Sequence, residues 1–94
     1  MVYKKIMNVG LTIKDEKRGC IIIGGVDNKF PLDGLDITGK NIIVKSSTNE
    51  LNFKVKKVDI STSIAGKINV GIVLFDSAEF NKVVSGDEVL KVLE

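Results

Sequence analysis

The sequence predicts an all-β fold, a small six- to seven-stranded antiparallel barrel of Greek-key type. Short apolar runs, either alternating with polar residues or fully apolar, recur along the 94 residues. Clusters of Gly, Asp, Asn and Ser separate these runs, as expected of turns between strands. No segment shows the 3.6-residue repeat of a long amphipathic helix. Many short strands with frequent turns are typical of a barrel, and the length predicts a single domain over residues 1–94.

The first strands are predicted around a charged turn. Apolar and polar residues alternate over residues 7–13, which predicts one half-buried strand. Residues 15–19 are charged and end in Gly, so they are predicted to form a turn. The run Cys20–Ile23 is fully apolar and predicts a strand covered on both faces. Gly24 and Gly25 then predict a bulge or a sharp bend.

The middle of the chain holds a turn-rich stretch and two further strands. Residues 26–39 contain the only Pro of the chain and two Gly, and they predict a run of turns. Residues 41–45 predict the next strand. The alternation over residues 51–60 slips at Lys56 and Lys57, where two polar residues follow each other, and this slip predicts a bulge.

The last third begins with a polar loop over residues 61–67. Residues 70–75 predict a buried strand that ends in Phe75, which is assigned to the core together with Phe53. Asp76 or Ser77 is predicted to cap one short helical turn. Residues 89–93 predict the closing strand.

Composition excludes several classes of function. The chain has 14 basic and 12 acidic residues, a net charge of +2, which permits a local basic patch but is far below that of a dedicated nucleic-acid binder. There is no His, which removes His-dependent catalysis and most zinc sites. Cys20 is the only cysteine, so no intramolecular disulfide forms. We therefore expect no catalysis, no cofactor and no metal.

The same observations set expectations about location. No apolar run approaches the roughly 20 residues of a membrane-spanning helix, and the N-terminal residues lack the apolar segment of a signal peptide. A single cysteine, predicted to be buried in an apolar strand, suits a reducing compartment. The sequence therefore predicts a cytoplasmic protein without a membrane partner.

Several segments carry a recognisable order of motifs. Residues 11–26 are similar to F-x-I-x-G-R-G-T-V-x-x-G-R-V, and residues 37–44 to V-G-D-x-V-x-I, with Lys40 in place of the usual Asp. Residues 65–71 are similar to A-G-D-N-V-G without its Asp, and residues 84–90 to R-G-x-V-L with an insertion. In this order the segments resemble the β-barrel domain 2 of translation GTPases such as elongation factor Tu.

The resemblance implies a translation-factor-like barrel in a stand-alone chain. No G-x-x-x-x-G-K-[ST] phosphate loop is present, so the chain is not the GTPase itself. Five glycines match turn and bulge positions of the family, which implies a positive φ or a close backbone approach at each. These glycines are Gly19, Gly24, Gly66, Gly71 and Gly86.

Candidate binding residues are mostly lysines. Lys54 and Lys56 share a strand face because side chains repeat every two residues, Lys57 follows them, and Lys45 joins them if the two strands form a hairpin. Such a patch suits RNA phosphates; the alternative is a solvated strand face, or lysines that protect an exposed sheet edge. Arg18, near a hairpin tip, matches a family position close to the functional surface; plain solubility is its alternative.

Two functions remain open from the sequence. The first is a binding module that contacts RNA or a ribonucleoprotein through the lysine-bearing strand face. The alternative is a protein-interaction module or an accessory subunit of a larger enzyme or GTPase, which would expose an apolar patch. The partner and the oligomeric state are not determined by the sequence.

Overall fold

Seven antiparallel strands form one sheet in the computed structural model, which describes residues 2–26, 36–62 and 66–93. The order across the sheet is β1-β7-β4-β5-β6-β3-β2. This confirms the predicted all-β class, strand number and antiparallel pairing. The strands are β1 (Val2–Asn8), β2 (Leu11–Asp15), β3 (Gly19–Val26), β4 (Asn41–Lys45), β5 (Glu50–Thr62), β6 (Ile68–Leu74) and β7 (Glu88–Leu93). A 3₁₀ helix lies at Ala78–Lys82, between β6 and β7.

The sheet is not closed into the predicted barrel. Its edge strands β1 and β2 pair with β7 and β3 and not with each other. Only Val9 and Gly10 separate them along the chain, and the Gly10 N–H donates to the Ile23 carbonyl oxygen at 2.8 Å. The chain therefore changes direction at Gly10, and the strands before and after it pair with different strands of the sheet, β1 with β7 and β2 with β3.

Strand β5 connects the two halves of the sheet. Its first part, Glu50 to Lys54, pairs with β4, and the part from Val55 to Thr62 pairs with β6. The register with β6 shifts between Val55 and Lys57, which confirms the predicted bulge. A bulge inserts an extra residue, increases the local twist and bends the strand. It lies at the point where β5 passes from one half of the sheet to the other.

The core fills the space on the inner face of the sheet. Period-two alternation places every second residue of the strands there, and the aromatic ring of Phe53 meets Phe80 edge-on with ring centroids 6.3 Å apart. The Cys20 side chain is fully buried, as predicted. The largest fully buried side chains include Ile22, Ile42, Ile72, Leu74, Val44, Val55, Val70 and Val89.

The residues around Gly10 differ from the prediction. The alternation over residues 7–13 spans the end of β1 and the start of β2, so it is not one strand. Met7 and Val9 are buried, whereas Leu11 and Ile13 are 55% and 37% exposed. The turn at Gly10 reverses which phase of the alternation faces the core.

Two further expectations were wrong. Of the bulge or sharp bend expected at Gly24 and Gly25, the bulge is absent, because β3 pairs with β6 in unbroken register from Cys20 to Val26. Phe75 is not in the core but 48% exposed. It follows Gly71 and Val73 in the outward phase of β6, whereas the even-numbered residues of that strand point inward.

The turns agree with the sequence where they are described. Ser77 caps the 3₁₀ helix, with its Oγ accepting from the Glu79 N–H at 3.2 Å. The Asp15 carboxylate accepts the N–H groups of Lys17 and Arg18 at 2.7 and 3.2 Å and so fixes the turn before β3. The polar loop predicted over residues 61–67 starts later than expected, because Ser61 and Thr62 still belong to β5 and pair with β6. Residues 27–35 and 63–65, for which turns and loop were predicted, lie outside the described residues.

Candidate nucleic-acid interface

Two of the predicted lysines meet an exposed aromatic ring. The Nζ atoms of Lys54 and Lys56 lie 5.8 and 6.0 Å from the centroid of the Phe75 ring, within the range of cation–π interactions. Both lysines are exposed on the outer face of β5. We call these three residues the basic-aromatic patch.

The strand register builds this patch. Val55 is opposite Leu74, so the next residues outward, Lys54 and Phe75, are also neighbours, and the Phe75 N–H donates to the Lys54 carbonyl oxygen at 3.1 Å. The bulge lies at Lys56, which keeps that side chain exposed beside the ring.

The sequence reasoning missed Phe75. A signal was present, because residues 70, 72 and 74 carry the large inward side chains of β6, and counting by two from Gly71 assigns Phe75 to the outer face. The fully apolar run hid this alternation, since Val73 on the outer face is also buried.

Lys57 lies beside the patch, but its charge is balanced. Its Nζ is 3.3 Å from the Asp59 carboxylate, and both side chains are more than half exposed. Exposed ion pairs contribute at most about 1 kcal/mol. Lys57 therefore adds less to the local positive potential than Lys54 and Lys56.

Lys45 lies at the other end of the β4–β5 hairpin. The hairpin forms as considered from the sequence, but Lys45 is opposite Glu50 on β5 and Glu88 on β7. Lys54 is four residues further along β5, which corresponds to about 13 Å. The structure does not bring Lys45 to the patch; it lines a separate groove together with Lys82.

Arg18 lies at the same end of the sheet as the patch. Cys20 on β3 is opposite Leu74, so the turn that carries Arg18 is one strand away from Phe75. Its own N–H is held by Asp15, and its side chain is exposed. The nearby acidic residue Asp76 has its carboxylate 3.8 Å from the Cys20 sulfur.

Backbone hydrogen bonds in that turn lower the pKa of Asp15. The N–H groups of Lys17 and then Arg18 hydrogen-bond its carboxylate and hold its pKa below its ordinary value, and the positive charge of Arg18 adds to this effect. The turn therefore presents two cations, Lys17 and Arg18, beside the two carboxylates of Asp15 and Glu16.

The five glycines of the resemblance divide into three groups. Gly19, Gly66 and Gly86 have φ values of +92°, +81° and +96°. Gly24 lies against β1, where a Cβ would collide with the Asn8 carbonyl oxygen. Gly71 has neither property, because a Cβ there meets its nearest neighbours at 3.9 Å.

A shallow groove continues from the patch over the outer face of the sheet. Asn41 is opposite Lys54 on the neighbouring strand, and Asn41, Asn52, Lys40 and Tyr3 line the groove. The groove therefore offers amide groups, two lysines, one carboxylate (Asp36) and an aromatic side chain next to Lys54.

The described residues contain no group of three or more Cys, Asp and Glu side chains placed to hold a metal ion. Within the same ranges, no helix has the length and apolar character needed to cross a membrane. Comparison with family models, curated proteins and solved structures found no match to this chain.

Proposed function

We propose that this chain is a non-catalytic binding module that holds single-stranded RNA, free or within a ribonucleoprotein, on the basic-aromatic patch. One observation supports this most directly: two lysine ammonium groups lie within 6.0 Å of the centroid of a half-exposed Phe ring. A base stacks on the ring, and the flexible lysine side chains reach the phosphates on either side of that base.

The patch suits RNA of little sequence preference. Stacking on an aromatic ring is tolerant of sequence, because every base has a π-face. Lysine contacts phosphate as a point charge and lacks the bidentate fork with which Arg reads guanine. The groove lined by Asn41 and Asn52 extends the path of the RNA over the sheet. The sequence resemblance to domain 2 of translation GTPases supports a role of this module in translation.

The alternative is a protein-interaction module or accessory subunit. It is favoured by the exposed apolar side chains Leu11 and Ile13 on the edge strand β2. This surface is on a different strand from the patch, so the two functions can be tested separately.

The first test is the salt dependence of RNA binding. Fluorescence anisotropy of a labelled single strand of about 12 nucleotides, which exceeds the smallest site sizes of single-strand binders, is measured at about 50 and about 200 mM salt. Each phosphate neutralised contributes about 0.7 to the slope of log K against log salt. Replacing Lys54 and Lys56 by Gln therefore lowers the slope by about 1.4. Between the two salt concentrations, the affinity of the unmodified protein should then fall about sevenfold more than the affinity of the double variant.

The matched control replaces Lys45 and Lys82 by Gln. Both double variants remove two charges and reduce the net charge from +2 to 0. We expect the control to bind RNA like the unmodified protein, because its lysines line the distant groove. Equal losses in both double variants would show nonspecific attraction and contradict the patch.

Phe75→Ala separates stacking from charge. Loss of one stacked base costs about 1–3 kcal/mol, a reduction of affinity of about 5- to 150-fold, and leaves the salt slope unchanged. Thermal unfolding followed by circular dichroism confirms that each variant is folded. Absence of RNA binding by the folded protein at the lower salt concentration overturns the proposal.

A further inference from the structure

The two edges of the sheet differ in how they are protected. Edge strands usually avoid pairing with other proteins by carrying charged residues or bulges. β1 has Lys4 and Lys5 together with a register shift between Lys5 and Met7. β2 has neither over residues 11–13, which are uncharged and pair with β3 in unbroken register.

The side chains of β2 extend an apolar strip on the outer face. Leu11 and Ile13 are opposite Ile23 and Ile21 on β3, and Ile21 is opposite Val73 on β6. Leu11 and Ile13 are the exposed end of this strip, whereas Ile21 and Val73 are buried within it. Within the described residues, β2 pairs with β3 alone, and its other edge has no partner strand.

We propose that β2 pairs antiparallel with β2 of a second copy of this chain, with Thr12 on the twofold axis. In this register Leu11 is opposite Ile13 of the partner subunit, and Thr12 is opposite Thr12 of the partner subunit. Apolar and Thr–Thr cross-strand pairs stabilise antiparallel sheets. Because the axis is twofold, each favourable pair between unlike residues occurs twice.

Neighbouring registers are less favourable. An axis through Ile13 places Leu11 opposite the partner's Asp15, so that an apolar side chain faces a carboxylate. An axis through Lys14 places two lysines directly opposite each other, which is destabilising. The axis through Thr12 therefore pairs Leu11 with Ile13 on both sides and keeps the two Lys14 side chains apart, and this self-complementarity favours a second copy as the occupant of the edge.

The dimer is weak and extends the sheet. The strands β5-β6-β3-β2 of each copy form one continuous layer across the axis. The paired segment is only a few residues long, so the interface lies below the 1,200 to 2,000 Å² or so of stable complexes. We expect a dissociation constant of the dimer between about 10 µM and about 1 mM, as for an interface of small area.

Cysteine crosslinking tests the register. Both cysteine variants also carry Cys20→Ala, because Cys20 is directly opposite Lys14 on β3 and would otherwise be able to form a disulfide with Lys14→Cys within one chain. The Cys20→Ala protein is the uncrosslinked control under mild oxidation. In the proposed register the Cα atoms of Thr12→Cys are about 4.5–5.5 Å apart, within disulfide range. Those of Lys14→Cys are about 13 Å apart along the strands, beyond that range. We expect a crosslinked dimer for Thr12→Cys and none for Lys14→Cys.

Sedimentation equilibrium tests the association itself. We expect concentration-dependent dimer formation for the unmodified protein and loss of the dimer in Ile13→Lys, which places a charge in the apolar pair. The matched control is Ile60→Lys, because Ile60 is 45% exposed but lies on β5. A monomeric mass at about 1 mM, the upper end of the range expected for this interface, overturns the proposal. Two other results would also overturn it. One is more crosslinking of Lys14→Cys than of Thr12→Cys, and the other is equal dimerisation of Ile13→Lys and the unmodified protein.

Discussion

Replacing Gly24 by Ala tests the contact that brings β1 against β3. A Cβ at Gly24 would collide with the Asn8 carbonyl oxygen and lie 2.9 Å from the Met7 sulfur. The sulfur is at the end of a flexible side chain and can move, but the carbonyl belongs to the backbone of β1. The variant can therefore fold only if β1 shifts away from β3.

The adjacent Gly25 provides the matched control. A Cβ there meets its nearest neighbour, the Ile68 carbonyl oxygen, at 3.8 Å, which is an ordinary contact. Gly25→Ala therefore has only a stabilising effect, because Ala reduces the conformational entropy of the unfolded chain and so raises the free energy of unfolding by about 0.4–1 kcal/mol. Gly24→Ala makes the same gain but adds an overpacking cost of about 1–3 kcal/mol, so its net effect is destabilising by up to about 2.5 kcal/mol.

Thermal unfolding measures the difference. A change of 1 kcal/mol shifts the melting temperature of a domain this size by about 4–8 °C. We expect Gly24→Ala to melt lower than the unmodified protein by several degrees or more, and Gly25→Ala to melt at the same temperature or higher. If Gly24→Ala melts at or above Gly25→Ala, the close approach of β1 to β3 is refuted.

Three other substitutions or titrations follow from the structure. Ile72→Ala should destabilise the protein by about 2–5 kcal/mol in denaturant unfolding, because the side chain is fully buried, and should far exceed Ile60→Ala at a 45% exposed site. Ser77→Ala should cost about 0.5–1 kcal/mol by the same measurement, because it removes the acceptor of the Glu79 N–H. The pKa of Asp15 is lowered in the folded protein, so its stabilising effect is present above its ordinary pKa and is lost as the pH falls through the folded value. A carboxyl titration followed by NMR should find that lowered pKa, and an ordinary or raised value would contradict the turn hydrogen bonds.

The features of the fold that depend on local pattern could be predicted from the sequence. The bulge at Lys56 and Lys57 follows from two consecutive polar residues, which a regular strand cannot place on one face. The cap at Ser77 follows from a hydroxyl at the start of a short helical turn. In both cases the relevant interactions lie within a few residues of each other.

Features that depend on long-range pairing could not be predicted. The alternation over residues 7–13 looks continuous, but Gly10 turns the chain between two strands that pair with different neighbours. The exposure of Leu11, Ile13 and Phe75 follows from which neighbour covers each face of the sheet. Lys45 and Lys54 similarly share a face, yet the register of the β4–β5 hairpin places them at opposite ends.

The two proposed surfaces combine on one face of the sheet. In the β2-paired dimer, the two β6 strands are separated by five interstrand spacings of about 4.8 Å, so the two Phe75 rings are at least about 24 Å apart. An RNA that spans this distance contacts both patches, and the second contact is intramolecular. Longer RNA should therefore bind more tightly than short RNA to the unmodified protein, whereas Ile13→Lys should bind both with the affinity of one patch. If the affinity depends on RNA length to the same extent in the unmodified protein and in Ile13→Lys, dimerisation does not contribute to RNA binding. A single patch then accounts for all of the affinity.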